Sequence, residues 1–234
     1  MRLHLHGVVR TSHPSPPGAP FRLVRAHDLA AIVSDAPSGR ATTDQDALAH
    51  LEMLSRVVLD GPVVPFRLGT VAEDEDSART DVLAQQAGLL REHLDRLDGV
   101  AEVHVYLRFS ESAALRAVHE EGGWRRVAGV DLAARIRIGE QIGQRLAAWR
   151  RAKSDALLTA VSALATGEVF LGEREHLEER RAFLVALDRL EDVRKAVADL
   201  GADVSTEYVG PLPAYSFLDG EVSAEKAPAS RWGW

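Results

Sequence analysis

The sequence predicts an α+β protein of two small domains: an N-terminal ferredoxin-like antiparallel sheet with two helices, and a C-terminal α+β unit with a long helix. Over residues 1–109, strand-like segments are interleaved with two amphipathic helices, which fits helices covering one face of an antiparallel sheet. A long amphipathic helix then precedes further strands, and 234 residues suffice for two cores. We therefore place the domains at 1–109 and 110–218, followed by a flexible tail at 219–234.

The first domain opens with a strand over residues 2–9. Leu3 and Leu5 alternate with His4 and His6, as in a half-buried strand. The other elements predicted for this domain are a proline-rich loop at 11–20, strands at 21–25 and 29–34, a helix capped by Thr43 and Asp46 and ending near Asp60, an irregular or edge strand at 62–70, a helix at 80–97, and a strand at 103–109 with Val103, Val105, Leu107 and Phe109 on one face.

The second domain is dominated by its long helix. Gly139 and Gly143 form a Gly-x-x-x-Gly pair within this helix, which allows another backbone to approach closely. The predicted elements are helical residues from Ser110 interrupted at Gly122–Gly123, the long helix at 131–164, strands at 168–171 and 182–187, a helix at 188–200 ended by Gly201, and a strand at 203–209.

Composition excludes several classes of function. The net charge of −7 argues against nucleic acid as a partner, because phosphate binding requires a concentrated basic surface. The absence of cysteine excludes disulfides and thiolate metal sites. No segment has the length and apolarity of a signal peptide or a membrane span, so we expect a soluble intracellular protein. The charged pairs at 150/151, 178/179 and 180/181 are expected to be solvated.

No pattern for catalysis or nucleotide binding is present. The sequence lacks a Gly-x-Ser-x-Gly elbow, a Gly-x-Gly-x-x-Gly loop and a P-loop. His4 and His6 on one strand face, with His104 on another strand, could bind a metal if these strands pair in register. This pattern leaves one alternative function, that of a small-molecule or metal-binding protein using the His4/His6/His104 sheet face. The other interpretation is that these histidines simply occupy a partly covered sheet face.

Two apolar, proline-containing strings are not explained by helix or strand periodicity. The first is Val64–Thr70, in which Arg67 is a fixed charge in an apolar context and requires a partner or an edge position. The second is Gly210–Phe217, in which two prolines stiffen the exit from the last strand. They present Tyr215 and Phe217 either to the core or to a partner.

These strings resemble the Pro-x-Arg-Phe-Gly-Thr and Gly-Pro-Trp-Pro-Pro-Tyr-Ser-Phe signatures of the GvpL/GvpF family of gas vesicle proteins. The residues that carry the resemblance, as structural or partner-contact positions, are Pro65, Arg67, Gly69, Thr70, Gly210, Pro211, Pro213, Tyr215, Ser216 and Phe217. Further features in matching order are an opening strand ending in Gly7, the segment 31–34, and His50. The chain departs from the signatures at Leu68, Leu212 and Ala214.

The resemblance implies a two-domain α+β protein required for gas vesicle formation, with no cofactor, no metal and no catalysed reaction. Its implied partners are the main gas vesicle shell protein and other gas vesicle accessory proteins. The implied role is that of an assembly factor or a minor shell-associated component, located in the cytoplasm and at the gas vesicle.

Overall fold

The computed structural model describes residues 1–15, 20–36, 43–122, 131–174, 177–201 and 204–218. The chain forms two compact units. The first is Met1–Glu102 together with the described residues from Gly210 onward, and the second is Val103–Val209. The segment from Gly210 thus packs with the first unit, whereas we assigned it to the second domain from the sequence. The predicted tail at 219–234 lies outside the described residues.

The first unit contains an antiparallel sheet with β1 at its centre. Its elements are β1 (Leu3–Arg10), β2 (Arg22–Ala26), β3 (Leu29–Asp35), α1 (Asp44–Asp60), β4 (Val64–Pro65), β5 (Val71–Ala72), α2 (Glu75–Ser77), a π-helical segment (Ala78–Ala84) and α3 (Ala87–Arg96). The strand order is β2-β3-β1-β4, and β5 also pairs with β1. Both faces of the sheet are covered at β1, so most of the side chains of this strand are buried, rather than half of them as the alternation predicted.

A bulge in β1 determines which side chains of this strand face α1 and which face α3. The register with β3 shifts between Leu5 and Gly7. Leu5 and Val8 therefore share one face and pack in the core that includes the buried leucines of α3. His6 points to the other face, where it contacts His50 of α1. Helices α1 and α3 thus lie on opposite faces of the sheet rather than together on one face.

Gly7 lies where a side chain has no room. A Cβ atom at this position would be 2.9 Å from the Val64 carbonyl oxygen and 3.1 Å from Val63 Cγ2. We expect Gly7→Ala to lower the free energy of unfolding by about 1–3 kcal/mol, because the β4 backbone must shift. Gly88→Ala in α3, where a Cβ meets nothing within 4 Å, should raise it by up to ~1 kcal/mol. Urea unfolding of both variants measures the difference, and equal stabilities would contradict this packing.

The two helices of the first unit differ in how well the sequence predicts them. Thr43 caps α1 and exchanges hydrogen bonds with Asp46, which confirms the predicted capping pair. The continuous helix predicted at 80–97 is instead a π-helical segment and α3, separated at residues 85–86. Ala78 and Leu83 are both fully buried at a spacing of five residues, which matches the i→i+5 bonding of a π-helix.

The second unit combines a sheet with the long helix. The remaining elements of the chain are β6 (Val100–Phe109), α4 (Glu111–Gly122), α5 (Leu132–Ser162), β7 (Ala165–Arg174), β8 (Glu178–Ala186), a 3₁₀ turn (Leu187–Arg189), α6 (Leu190–Ala198), β9 (Val204–Leu212) and a 3₁₀ turn (Tyr215–Phe217). The strand order is β7-β8-β6-β9. The predicted apolar face of β6 packs in a core with α5 and α6.

The predicted α+β class is confirmed, including the long helix. Asp131 caps α5 by accepting a hydrogen bond from the Ala134 amide, and the helix ends at Ser162, close to the predicted limits. Helix α4 confirms the predicted helical start of this region, while residues 123–130 lie outside the described part of the chain. In the described residues, no helix combines the length and apolarity that crossing a membrane requires.

Candidate interaction site

The first proline-containing string forms an edge of the first unit's sheet. Pro65 pairs with Gly7 at the end of the strand order, where the missing amide donor of proline is tolerated. The Phe66 amide donates a 2.9 Å hydrogen bond to the His6 carbonyl oxygen. The string is therefore fastened to β1 by its backbone, in agreement with the predicted edge strand.

The same string ends in a β-turn that begins at Arg67. The amide and hydroxyl of Thr70 both donate to the Arg67 carbonyl oxygen, at 3.1 and 2.7 Å. Gly69, the third residue of this turn, has a φ of 90°, which favours glycine. The Arg67 side chain is exposed, and its guanidinium has no ion-pair partner within the described residues. The sequence left open a partner for Arg67 or an edge position, and Arg67 lies just after the edge strand β4.

The second string leaves β9 and forms part of the first unit. Gly210 and Pro211, joined by a cis peptide bond, belong to the last residues of β9. Pro213 is buried, and the 3₁₀ turn Tyr215–Phe217 follows it. Each residue of this turn makes a polar contact with the rest of the unit.

Two of these contacts fix the end of the turn. The Ser216 amide and hydroxyl donate to the carboxylate of Glu102, at 2.8 and 2.7 Å. Glu102 is only 1% exposed, so these bonds satisfy a buried carboxylate. Arg96 Nη2 donates a 2.5 Å hydrogen bond to the Phe217 carbonyl oxygen. The turn is therefore held largely by hydrogen bonds rather than by burial of large apolar side chains.

Tyr215 joins the two strings directly. Its hydroxyl donates to the Phe66 carbonyl oxygen at 3.1 Å and lies 2.7 Å from Nε2 of His50. One string supplies the tyrosine and the other supplies the carbonyl group, although they are separated by most of the chain. Sequence analysis singled out both strings but did not predict that they meet.

The contact at Tyr215 is the end of a buried chain of hydrogen bonds with a defined direction. Because the tyrosine proton goes to the Phe66 carbonyl, His50 Nε2 must donate to the tyrosine oxygen. Nδ1 of a neutral His50 then accepts from His6 Nδ1, 2.8 Å away. Nε2 of a neutral His6 in turn accepts from the Ser34 hydroxyl at 2.8 Å. A single tautomer of each histidine therefore satisfies every bond.

Both histidines in this network of hydrogen bonds, His6 and His50, are neutral near pH 7. Burial, reinforced by the neighbouring His50 and His4, lowers the pKa of His6 to about 3. Burial lowers the pKa of His50 to about 4, opposed in part by the Phe66 carbonyl. Burial, reinforced by Glu102, raises the pKa of the Tyr215 hydroxyl. These shifts agree with the neutral tautomers that the hydrogen bonds require.

The histidine metal site considered from the sequence does not form in the described residues, where no cluster of three histidine or acidic side chains could hold a metal ion. His6 is unsuited to this role because both of its ring nitrogens are occupied by His50 and Ser34. The partner that the sequence did not reveal is His50, 44 positions away on α1. Its place among the family features was the sole sequence signal for it.

Within the described residues, one face of helix α5 is uncovered over its first half. The buried residues of this helix are all in the second half, namely Arg150, Ser154, Leu158 and Val161. Leu132 and Ile136 continue the same face towards the start of the helix, yet they are 73% and 54% exposed. Next to them, a Cβ at Gly139 or Gly143 would meet nothing within 4 Å. The close approach expected at this glycine pair is therefore not made within the described chain.

The second half of α5 is anchored by buried charges. Arg181 on β8 pairs with Asp155 of α5 at 2.5 Å, Glu168 at 2.6 Å and Glu179 at 2.5 Å. Arg150 lies 3.6 Å from the other oxygen of Glu179, and both of these side chains are almost fully buried. Burial opposes the charge of Arg181, but its three acidic partners raise the pKa of the guanidinium. The expectation that these charges are solvated is therefore wrong.

The fold and these contacts define a two-sheet α+β protein with an exposed apolar stretch on its long helix. The crystal structure of the gas vesicle protein GvpF from Anabaena sp. PCC7120 has this fold, with a TM-score of 0.79, 17% identity, and coverage of 94% of this chain and 97% of that one. The GvpF crystal structure from Microcystis aeruginosa is similar, with a TM-score of 0.76, 16% identity, and coverage of 93% and 99%.

Sequence comparison identifies the family. Residues 3–219 match the profile described as "Gas vesicle synthesis protein GvpL/GvpF". Gas vesicle protein F of Streptomyces sp. (strain CB03234) is 31% identical over 246 aligned positions, which cover 94% of this chain and 100% of that protein. The chain therefore belongs to the GvpL/GvpF family of gas vesicle proteins, as its two strings predicted.

Proposed function

We propose that this protein is an assembly factor or minor shell-associated component of gas vesicles. It binds the small hydrophobic shell protein or other gas vesicle accessory proteins, in the cytoplasm and at the vesicle, without catalysing a reaction. The observation that carries the proposal is the uncovered apolar face of the first half of α5, where Leu132 and Ile136 are exposed. Family membership supports the gas vesicle as the setting.

Physical chemistry supports this assignment. An apolar shell protein aggregates in water unless its surface is covered before and during assembly. The start of α5 offers a complementary surface, since two large apolar side chains lie next to two glycines that leave the helix backbone accessible. Burial of such side chains stabilises a complex by roughly 1.5–3 kcal/mol each. The exposed side chains and glycines at the start of α5 are therefore sufficient for a role in binding an apolar partner.

The two proline-containing strings have separate roles in this proposal. Tyr215, Ser216 and Phe217 hold the second string in place through hydrogen bonds, which supports a structural role. Arg67 is exposed on the turn that Gly69 and Thr70 shape, which makes it the motif residue best placed to contact a partner.

Capture of the shell protein tests the proposal. The full-length chain, immobilised at physiological salt, is expected to retain freshly solubilised main shell protein or an accessory protein from the same gas vesicle system. A soluble protein of similar size and charge, immobilised in the same way, is the control. Failure to retain any gas vesicle protein above that control would reject the proposed function.

A further inference from the structure

The buried network of hydrogen bonds described above connects the turn Tyr215–Phe217 to β1 and β3 of the first unit's sheet. It passes from Ser34 through His6 and His50 to Tyr215 and ends on the Phe66 carbonyl oxygen. Two members of this network, His6 and His50, have imidazole side chains that can be protonated. Their protonation state therefore affects how firmly the turn is held.

Protons added to the histidine pair are unfavourable for a geometric reason. One extra proton can be accommodated by changing a tautomer, but it places a cation in a site closed to water. A second proton would set two N–H groups against each other across the 2.8 Å between the Nδ1 atoms of His6 and His50. Departure of Tyr215, which occupies Nε2 of His50, would open that ring to water and allow it to carry the charge.

We propose that the turn Tyr215–Phe217 is an acid-sensitive latch, closed on the first unit while His6 and His50 are neutral and released as this histidine pair takes up protons. The titratable and polar groups that act on the pair directly are His4 on β1, Ser34 on β3 and Tyr215 itself. Arg2 and Asp46 act on the neighbouring His4, and Glu102 acts on Tyr215. None of the described acids forms an ion pair with His6 or His50 that would offset a buried positive charge.

The direction of the pH effect follows from the lowered pKa values. A histidine in water has a pKa near 6.5, whereas burial lowers that of His50 to about 4. The closed latch is therefore fully favoured above about pH 6.5 and loses stability as the pH falls towards 4. If opening restores the ordinary pKa of His50, the opening equilibrium constant rises about 20-fold between pH 7 and pH 5. This window lies above the range in which most carboxyl groups titrate.

Amide hydrogen exchange of the full-length chain, read by mass spectrometry, tests the proposal. Peptides covering 210–218 are compared at pH 7 and pH 5 after correction for the intrinsic exchange rate. We expect local opening to increase about 20-fold in this segment, with little change in the peptides of α5. Protection of 210–218 that is the same at both pH values would overturn the latch.

Variants separate the latch from other effects of acid. Glutamine at position 50 can accept from His6 and donate to Tyr215 but does not titrate, so His50→Gln should keep the latch closed at pH 7 and lose most of the pH response. His119→Gln, on the exposed face of α4, is the matched control and should respond like the parent chain. An unchanged response in His50→Gln would contradict the proposal.

Tyr215→Phe provides a second variant that does not depend on the behaviour of His50. It removes the hydroxyl that joins His50 to Phe66, and local opening at pH 7 should already be about 10-fold greater than in the parent. Equal protection of the segment in Tyr215→Phe and the parent chain at pH 7 would show that the chain of hydrogen bonds does not hold the turn.

Discussion

Replacing Glu179 by alanine is expected to lower the free energy of unfolding of the Val103–Val209 unit by about 3–5 kcal/mol. Glu179 is 1% exposed and lies between two arginines, 2.5 Å from Arg181 and 3.6 Å from Arg150. The other acidic partners of Arg181 are more exposed and remain in place. Arg150, itself 2% exposed, would lose a buried counter-charge. The large effect comes from leaving that charge buried beside a cavity, rather than from the strength of the pair itself.

Urea unfolding followed by circular dichroism measures this loss. Glu191→Ala is the matched control, because Glu191 pairs with Arg194 on the surface of α6, where a pair contributes about 0–1 kcal/mol. A midpoint for Glu179→Ala within error of that of Glu191→Ala would contradict the anchoring role of the buried charges. The result bears on function because these charges hold α5 against the sheet.

The double variant Leu132→Asp/Ile136→Asp is expected to weaken capture of the shell protein on the order of 100-fold or more. Both residues are more than half exposed, so the substitutions remove only part of a buried apolar side chain from the chain itself. They do remove two large apolar groups from the proposed interface and require two carboxylates to be desolvated in any complex. Helix α5 should tolerate the change, since position 132 is in its first turn, where acids are favoured, and an exposed aspartate at position 136 costs less than about 1 kcal/mol of helix propensity.

A matched control for this variant is available on another helix. Leu48 and Leu59 of α1 are 58% and 53% exposed, so Leu48→Asp/Leu59→Asp makes the same chemical change without altering α5. We expect it to leave capture unchanged. Circular dichroism confirms that both variants are folded. Equal capture by the two variants would show that this face of α5 is not part of the interface. The proposed function itself would still be supported in that case if the parent chain captures the shell protein.

The sequence predicted the elements whose signals are local. Thr43 and Asp46 define the start of α1 by hydrogen bonds within one turn of helix. The alternating valines and leucine of β6 place its apolar face in the core. Asp131 caps α5 in the same local way. In each case the interacting residues are close in sequence, so their spacing carries the information.

The features that escaped prediction depend on residues far apart in the chain. The bulge at Leu5/Gly7 is set by pairing with β3, and it turns His6 towards α1. The burial of Arg150 and Glu179 depends on how α5 packs on β8, so their neighbouring charges in the sequence suggested solvated positions instead. Both networks arise where polar side chains from distant segments meet, which neither periodicity nor spacing records.

Gas vesicle formation in cells tests the central claim most directly. A strain lacking the gene for this chain is complemented with the parent sequence or with Leu132→Asp/Ile136→Asp at matched protein levels, and its vesicles are examined by electron microscopy. We expect absent or malformed vesicles without the protein, restoration by the parent sequence, and no restoration by the double variant. Normal vesicles in the uncomplemented strain would contradict a role in assembly through this apolar helix face.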